Sequence, residues 1–193
     1  MGKVSDYAFI NAKLRARIGI IRTETVIDDM IKAPTLSEAV AKLDGTRFSA
    51  LAEIYRATGD LQQVELALVS NEIASYREVA SYLEDRGKAF INVLLEKVEI
   101  DNLKNALRIW YSSAIRGHQI NSRSPYIEKR LIVHPIDYDK ILNASSFSQV
   151  VHSLQGTPYH DVARQFADKD FSSMGLFPLE IALDHLWFDQ LGK

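Results

Sequence analysis

The sequence predicts an all-α fold built on an internal repeat. Three observations point there. Apolar residues recur every three or four positions along most of the chain. Capping and stop signals punctuate those runs at intervals that suit helices. Strand signals are nearly absent: Leu131-Ile132-Val133 is the one β-branched run to consider, and it is too short to force a sheet.

The elements follow in order. Tyr7, Ile10, Leu14, Ile18 and Ile21 form one apolar stripe on a first helix, with Lys13, Arg15, Arg17 and Arg22 mostly off it. Pro34-Thr35-Leu36-Ser37-Glu38 reads as a helix start, with Thr35 as cap and Glu38 completing a capping box. Asp44-Gly45-Thr46 stops that short helix. A second short helix carries Phe48, Leu51, Ile54 and Tyr55 and ends at Thr58-Gly59-Asp60. A long helix is expected from Leu61 to about Arg86, and another from about Lys88 to Arg116, separated by Gly87 and closed by Gly117. Residues 118–135 are polar, contain Pro125 and Pro135, and read as a connection.

The repeat lies beyond that connection. Thr35-Leu36-Ser37-Glu38-Ala39-Val40-Ala41-Lys42-Leu43-Asp44-Gly45-Thr46 aligns with Ser146-Phe147-Ser148-Gln149-Val150-Val151-His152-Ser153-Leu154-Gln155-Gly156-Thr157. Ser37/Ser148, Val40/Val151, Leu43/Leu154, Gly45/Gly156 and Thr46/Thr157 are identical. Val64-Glu65-Leu66-Ala67-Leu68 then matches Leu179-Glu180-Ile181-Ala182-Leu183, with the extra residues absorbed by a loop. This predicts a first helical domain at 1–117, a connection at 118–135 and a partial second helical domain at 136–193. The second copy is expected to stop partway, leaving Leu183, Leu186, Trp187, Phe188 and Leu191 as a strongly apolar ending that promotes self-association.

Composition excludes several classes. The 193 residues carry a net charge of −2, which offers no basic excess for nucleic acid. Cysteine is absent, so disulfides and thiolate metal sites are excluded. No apolar run reaches the roughly 20 residues needed to span a bilayer, and Met1-Gly2-Lys3-Val4-Ser5-Asp6 lacks the apolar stretch of a secretory signal. The expectation is a cytoplasmic chain that meets a membrane only through a partner.

Chemistry-bearing patterns are scarce. His118, His134, His152, His160 and His185 lack the spacing of a metal motif, and one candidate pair, His185 with Asp189, supplies too few ligands. Glu180 and Asp184 sit one helical turn apart, as acid/base pairs sometimes do, but a solvated face is the simpler reading. No phosphate-binding glycine loop or nucleophile elbow occurs. The expectation is no catalytic, cofactor or metal site.

Two polar clusters interrupt apolar helices. Asn11 follows Tyr7 in Tyr7-Ala8-Phe9-Ile10-Asn11-Ala12-Lys13-Leu14-Arg15, and Asn102 sits in Glu99-Ile100-Asp101-Asn102-Leu103-Lys104-Asn105-Ala106-Leu107-Arg108. Asparagine is a poor interior helix residue, so each predicts a specific hydrogen bond at a kink or between repeats. With the repeat, these clusters resemble the C subunit of the V-type and A-type rotary ATPases, known as the d subunit in eukaryotes. The resemblance rests on Tyr7, Asn11 and Arg15 in the first helix and on Glu99, Asn102 and Arg108 in the later one. Leu179-Glu180-Ile181-Ala182-Leu183-Asp184 looks like the start of a long helix in that family's second repeat.

The resemblance implies a mechanical role. Members of that family are built from three related helical domains, sit on the membrane rotor ring and receive the lower end of the central shaft. They couple ATP hydrolysis or synthesis to ion translocation and perform no chemistry themselves. The expected partners are therefore the central-shaft subunits and the rotor ring, and the chain is expected to be a truncated or short member. The six motif residues are expected to be structural. The alternative is an unrelated helical-repeat adaptor that binds a protein or peptide.

Overall fold

The structure, a computed structural model, describes residues 2–20, 23–118 and 126–192. Eleven α-helices and no strand occur among the described residues. The chain divides into two compact units, Met1–Asp85 and Arg86–Lys193.

The first unit holds α1 (Gly2–Ile20), α2 (Thr23–Ile31), α3 (Leu36–Ala41), α4 (Ser49–Thr58) and α5 (Leu61–Ala80). Its described core is small and includes Ile10, Val40, Leu51, Val64 and Ile73. Of the expected α1 stripe only Ile10 is buried, whereas Tyr7, Leu14 and Ile18 stay exposed; Ile21 and Arg22 lie outside the described residues. Helix α5 ends earlier than expected. Ser81 donates its hydroxyl to the Glu78 carbonyl at 2.7 Å, and Asp85 opens the next helix, placing a negative charge at its positive end. Gly87, expected as a break, therefore lies inside the first turn of that helix.

The second unit takes in all of α6 (Asp85–Trp110) but its first residue, and α6 continues as one π-helical turn, Tyr111–Ile115, to the left-handed Gly117 at φ +68°. After residue 126 come α7 (Tyr138–Leu142), α8 (Phe147–Ser153), α9 (Tyr159–Arg164), α10 (Phe171–Met174) and α11 (Phe177–Leu191). One contiguous core runs from Ile100, Leu103 and Leu107 of α6 to Leu179 and Leu183 of α11. At its centre Trp110 is fully buried, with its ring 5.5 Å from Phe147 and 6.0 Å from Phe171. Its indole N–H donates to the Ala144 carbonyl at 2.9 Å, so the large ring is buried with its polar atom satisfied. The described part of the expected connection is not a solvated linker: Ile127 joins this core and Ile132 is buried. Pro125 lies outside the described residues.

The repeat is visible atom by atom. Thr35 and Ser146 both occupy the N-cap position with extended backbone, though only the Thr35 side chain makes the capping bond. The Thr35 hydroxyl accepts from Glu38 N–H at 3.2 Å, while in the second copy Gln149 reaches back to accept from Ser145 N–H at 2.9 Å. Gly45 and Gly156 turn with φ of +73° and +80°, a conformation glycine adopts without steric cost. One residue on, Thr46 and Thr157 donate their hydroxyls to Leu43 and Leu154 carbonyls at 2.6 and 2.7 Å. Helix pairing repeats as well: α4 packs on α3 and α5, and α9 packs on α8 and α11.

Candidate functional site

The buried face of α6 carries Ile91, Leu95, Glu99, Leu103, Leu107 and Trp110 at helical spacing. Glu99 occupies a position where the period calls for an aliphatic residue, and it is only 1% exposed. A carboxylate in that position must find donors or be strongly destabilising. It finds four: Val133 N–H at 2.7 Å, His134 N–H at 2.9 Å, His134 Nδ1 at 2.8 Å and the Tyr159 hydroxyl at 2.8 Å. Consecutive amides at the end of the β-branched run thus point at one carboxylate and not at a neighbouring strand. Tyr159 is fully buried, and burial together with the Glu99 charge pushes its phenol up, keeping it a donor. The His134 ring lies edge-on to Tyr159 at 5.5 Å.

One turn before Glu99, Glu96 approaches His134 Nε2 at 3.8 Å. Its Oε2 is buried with no hydrogen-bond partner. Burial raises the Glu96 carboxyl above its ordinary range, and the nearby His134 opposes that rise.

Asn102, one turn after Glu99, meets the same segment. Its amide donates to the Glu128 carbonyl at 2.8 Å and its oxygen accepts from Glu128 N–H at 3.0 Å. It thereby mimics one rung of a β-ladder. The Glu128 carboxylate in turn holds the Arg130 amide and guanidinium. Further along, Lys104 is buried and pairs with Asp184, while Arg108 grips Glu180 with two bonds of 2.7 and 2.9 Å. Glu180 and Asp184 are therefore ion-pair partners of α6. This corrects the reading of them as a solvated face and gives no acid/base pair.

The first unit echoes this arrangement more weakly. Lys13 and Arg17, one turn apart on α1, both pair with Glu78 of α5. The Arg17 guanidinium, and then Lys13, hold the Glu78 carboxyl down at about 2. Asn11 accepts from Arg15 at 3.2 Å on an exposed face, and Tyr7 is exposed. The predicted site residues thus fall into two sets. Glu99 and Asn102 together anchor residues 128–134, Arg108 anchors α11, and Tyr7, Asn11 and Arg15 lie on the outside of the first unit. An open cleft of about 510 Å³ in that unit is lined by Leu14, Arg17, Phe48, Leu68, Tyr76 and Val79.

Sequence reasoning missed three participants: His134, Tyr159 and Lys104. A histidine and a tyrosine in different segments carry no spacing signal, and only the buried carboxylate could have hinted that donors were needed. No group of three His, Asp or Glu among the described residues could hold a metal ion. His185 and Asp189 are both exposed on α11. Apart from the Glu96 Oε2, the polar groups named here are spent on holding segments together.

Residues 10–193 match the family described as ATP synthase (C/AC39) subunit. The chain is similar to the C subunit of the A-type ATP synthase of Methanosphaera stadtmanae, with 27% identity over 190 residues, 96% of this chain and 45% of that protein. It is similar to the protein of the same name from Methanocaldococcus jannaschii, at 22% identity across 98% of this chain and 47% of that protein. The Haloferax volcanii counterpart shares 29% identity over 158 residues, 80% of this chain and 40% of that protein. The chain thus spans about half the length of the curated relatives it matches. No solved structure matches it.

Proposed function

The chain belongs to the ATP synthase (C/AC39) subunit family, and from that premise we propose that it is a non-catalytic coupling element of a V/A-type rotary ATPase. In this reading it links the central shaft to the membrane rotor ring and transmits torque between ATP turnover and ion translocation. The observation that carries the proposal is the family match across residues 10–193. The geometry supports it physically. A coupling element must not deform under load, and densely packed helices resist deformation. The second unit adds hydrogen-bonded and ionic ties at Glu99, Asn102, Lys104 and Arg108, which join α6 to residues 128–134, α9 and α11. We assign the motif residues of α6 this bracing role, and those of α1 a place in the outer face of the first unit.

No described helix is long and apolar enough to cross a membrane. The proposal therefore places the chain at a membrane through its partners, on the cytoplasmic side. The test is co-elution of the 193-residue chain with purified central-shaft subunits, and separately with the detergent-solubilised rotor ring. Retention by either partner is expected. Failure of both, with the chain folded and the partners competent to bind each other, would overturn the coupling role.

A further inference from the structure

The repeat reaches beyond the paired Gly-Thr turns. Asn11, Lys13 and Arg17 of α1 recur, each 91 positions on, as Asn102, Lys104 and Arg108 of α6. At the same offset Ala8, Ala12, Ala16 and Gly19 stand where α6 has Glu99, Leu103, Leu107 and Trp110. Those four α6 residues are all buried, whereas their α1 counterparts are all exposed. Helix α1 is the first copy's α6, seated differently.

The two helices differ in register along the long helix that each one pairs with. Arg108 grips Glu180 of α11 with two bonds, and the matched segments make Glu65 of α5 the counterpart of Glu180. Both partners of that ion pair are therefore present in the first copy. Yet Arg17 pairs with Glu78, 13 positions beyond Glu65, and Glu65 is left exposed. Thirteen residues of α-helix span about 20 Å.

A second pair of positions calls for the other register. Tyr159, at the start of α9, donates its hydroxyl to Glu99. Its counterpart Phe48 lacks the hydroxyl, and Ala8, the counterpart of Glu99, lacks the carboxylate. Donor and acceptor are missing together, as a dry contact between those two positions requires. In the observed seat Phe48 lines the open cleft with Leu14, Arg17 and Ile18, about two turns of α1 past Ala8. Since α1 runs antiparallel to α5, with Lys13 beside Tyr82 and Arg17 beside Glu78, both mismatches displace it in one direction.

We propose that α1 has a second, closed seat on the first unit, in which Arg17 pairs with Glu65 and Ala8 lies against Phe48. Phe9, 63% exposed in the open seat, then takes the place of the fully buried Ile100. Little holds α1 where it is. Of its described residues only Ile10 is buried, and its pairs with Glu78 are partly exposed, a class that contributes little. Helix α7 begins at Tyr138, the counterpart of Ile27, so closing frees Thr23–Val26 from α2 as the connection. The inference rests on the repeat and not on the coupling role.

Because the chain has no cysteine, disulfide trapping in the 193-residue chain reads each seat separately. Phe9→Cys with Tyr82→Cys reports the open seat, where the two rings lie 5.6 Å apart. Lys13→Cys with Val69→Cys reports the closed one, because Lys104 meets Asp184 at the matching positions. Under mild oxidation at about 1 μM, where pairing within a chain outruns pairing between chains, both disulfides should form. Adding Glu65→Lys should slow the 13–69 disulfide at least about threefold, and Glu78→Lys should speed it by about as much, the scale of one ion pair. The helical circular dichroism should not change. A 13–69 disulfide that fails to form, that links two chains, or that ignores Glu65→Lys would overturn the proposal.

Discussion

Glu99 is the residue on which most of the second unit's polar structure converges. Its oxygens accept from two amides, an imidazole and a phenol, so replacing it by a leucine of similar size strands four buried or half-buried donors. Glu99→Leu should cost about 3–5 kcal/mol, the scale of breaking a buried charge network, read as a fall in the urea midpoint with the m-value unchanged. Glu96 should behave in the opposite sense. Burial raises its folded-state carboxyl above the ordinary range, so the folded protein binds a proton more tightly than the unfolded chain. That stability is full below the ordinary carboxylate range and is lost as pH rises through the elevated value. Glu96→Gln should therefore raise the melting temperature at neutral pH, with the gain vanishing when the scan is repeated near pH 4. A gain that persists in acid would show that packing, and not ionisation, is what the substitution relieves.

At the scale of elements, the turn and the anchor are the features to probe. The Gly45 and Gly156 turns have open space around the missing side chain, so an alanine there meets backbone strain and no clash. Gly45→Ala and Gly156→Ala should each cost about 1 kcal/mol. Thermal denaturation of the two variants checks both the size and the likeness of the two copies. Asn102 ties α6 to a segment 26 residues away through both polar atoms of one residue's backbone. Asn102→Leu should cost about 2 kcal/mol by leaving the Glu128 N–H and carbonyl without the Asn102 amide. It should speed hydrogen exchange at the Glu128 amide and leave the protein all-helical. The anchor lies between α6 and the irregular segment that follows residue 126, and α6 shares its core with the helices beyond it.

For the whole molecule, the two units differ in how much they bury. The second has one contiguous core that includes fully buried large residues of α6, α7 and α9, among them Trp110, Tyr159 and Ile141. The first keeps much of its apolar surface outside, including Phe9, Ile18, Ile31 and Leu68. Unequal burial means unequal stability. Both tryptophans, Trp110 and Trp187, belong to the second unit, so their fluorescence reports that unit alone, whereas circular dichroism reports both. In a urea titration the far-ultraviolet signal should begin to fall before the fluorescence does. Coincident transitions would show that the chain unfolds as one cooperative body.

Much of this was legible in the sequence because it is local. Helical period, the Thr35 cap, the Gly-Thr turns and the doubled segment all depend on residues within a few positions of one another, where backbone sterics and capping bonds act. The resemblance to the rotary ATPase family was legible for the same reason, since Asn11, Glu99 and Asn102 break a period that can be counted. The short helices α2, α7 and α10 were not, because nine residues or fewer give too few turns for a period to show, and they lack the capping box and Gly-Thr stop that marked the equally short α3. Nor did the sequence reveal that Tyr7, Leu14 and Ile18 stay outside, or that Trp187 turns in while Phe188 turns out. Periodicity names an apolar face but not what covers it. Only the tertiary structure decided that Glu99 would be served by His134 and Tyr159, and Lys104 by Asp184. Those partners are brought together by the packing of α6 against distant segments, and hydrogen bonds of that kind depend on distance in space, which sequence separation does not encode.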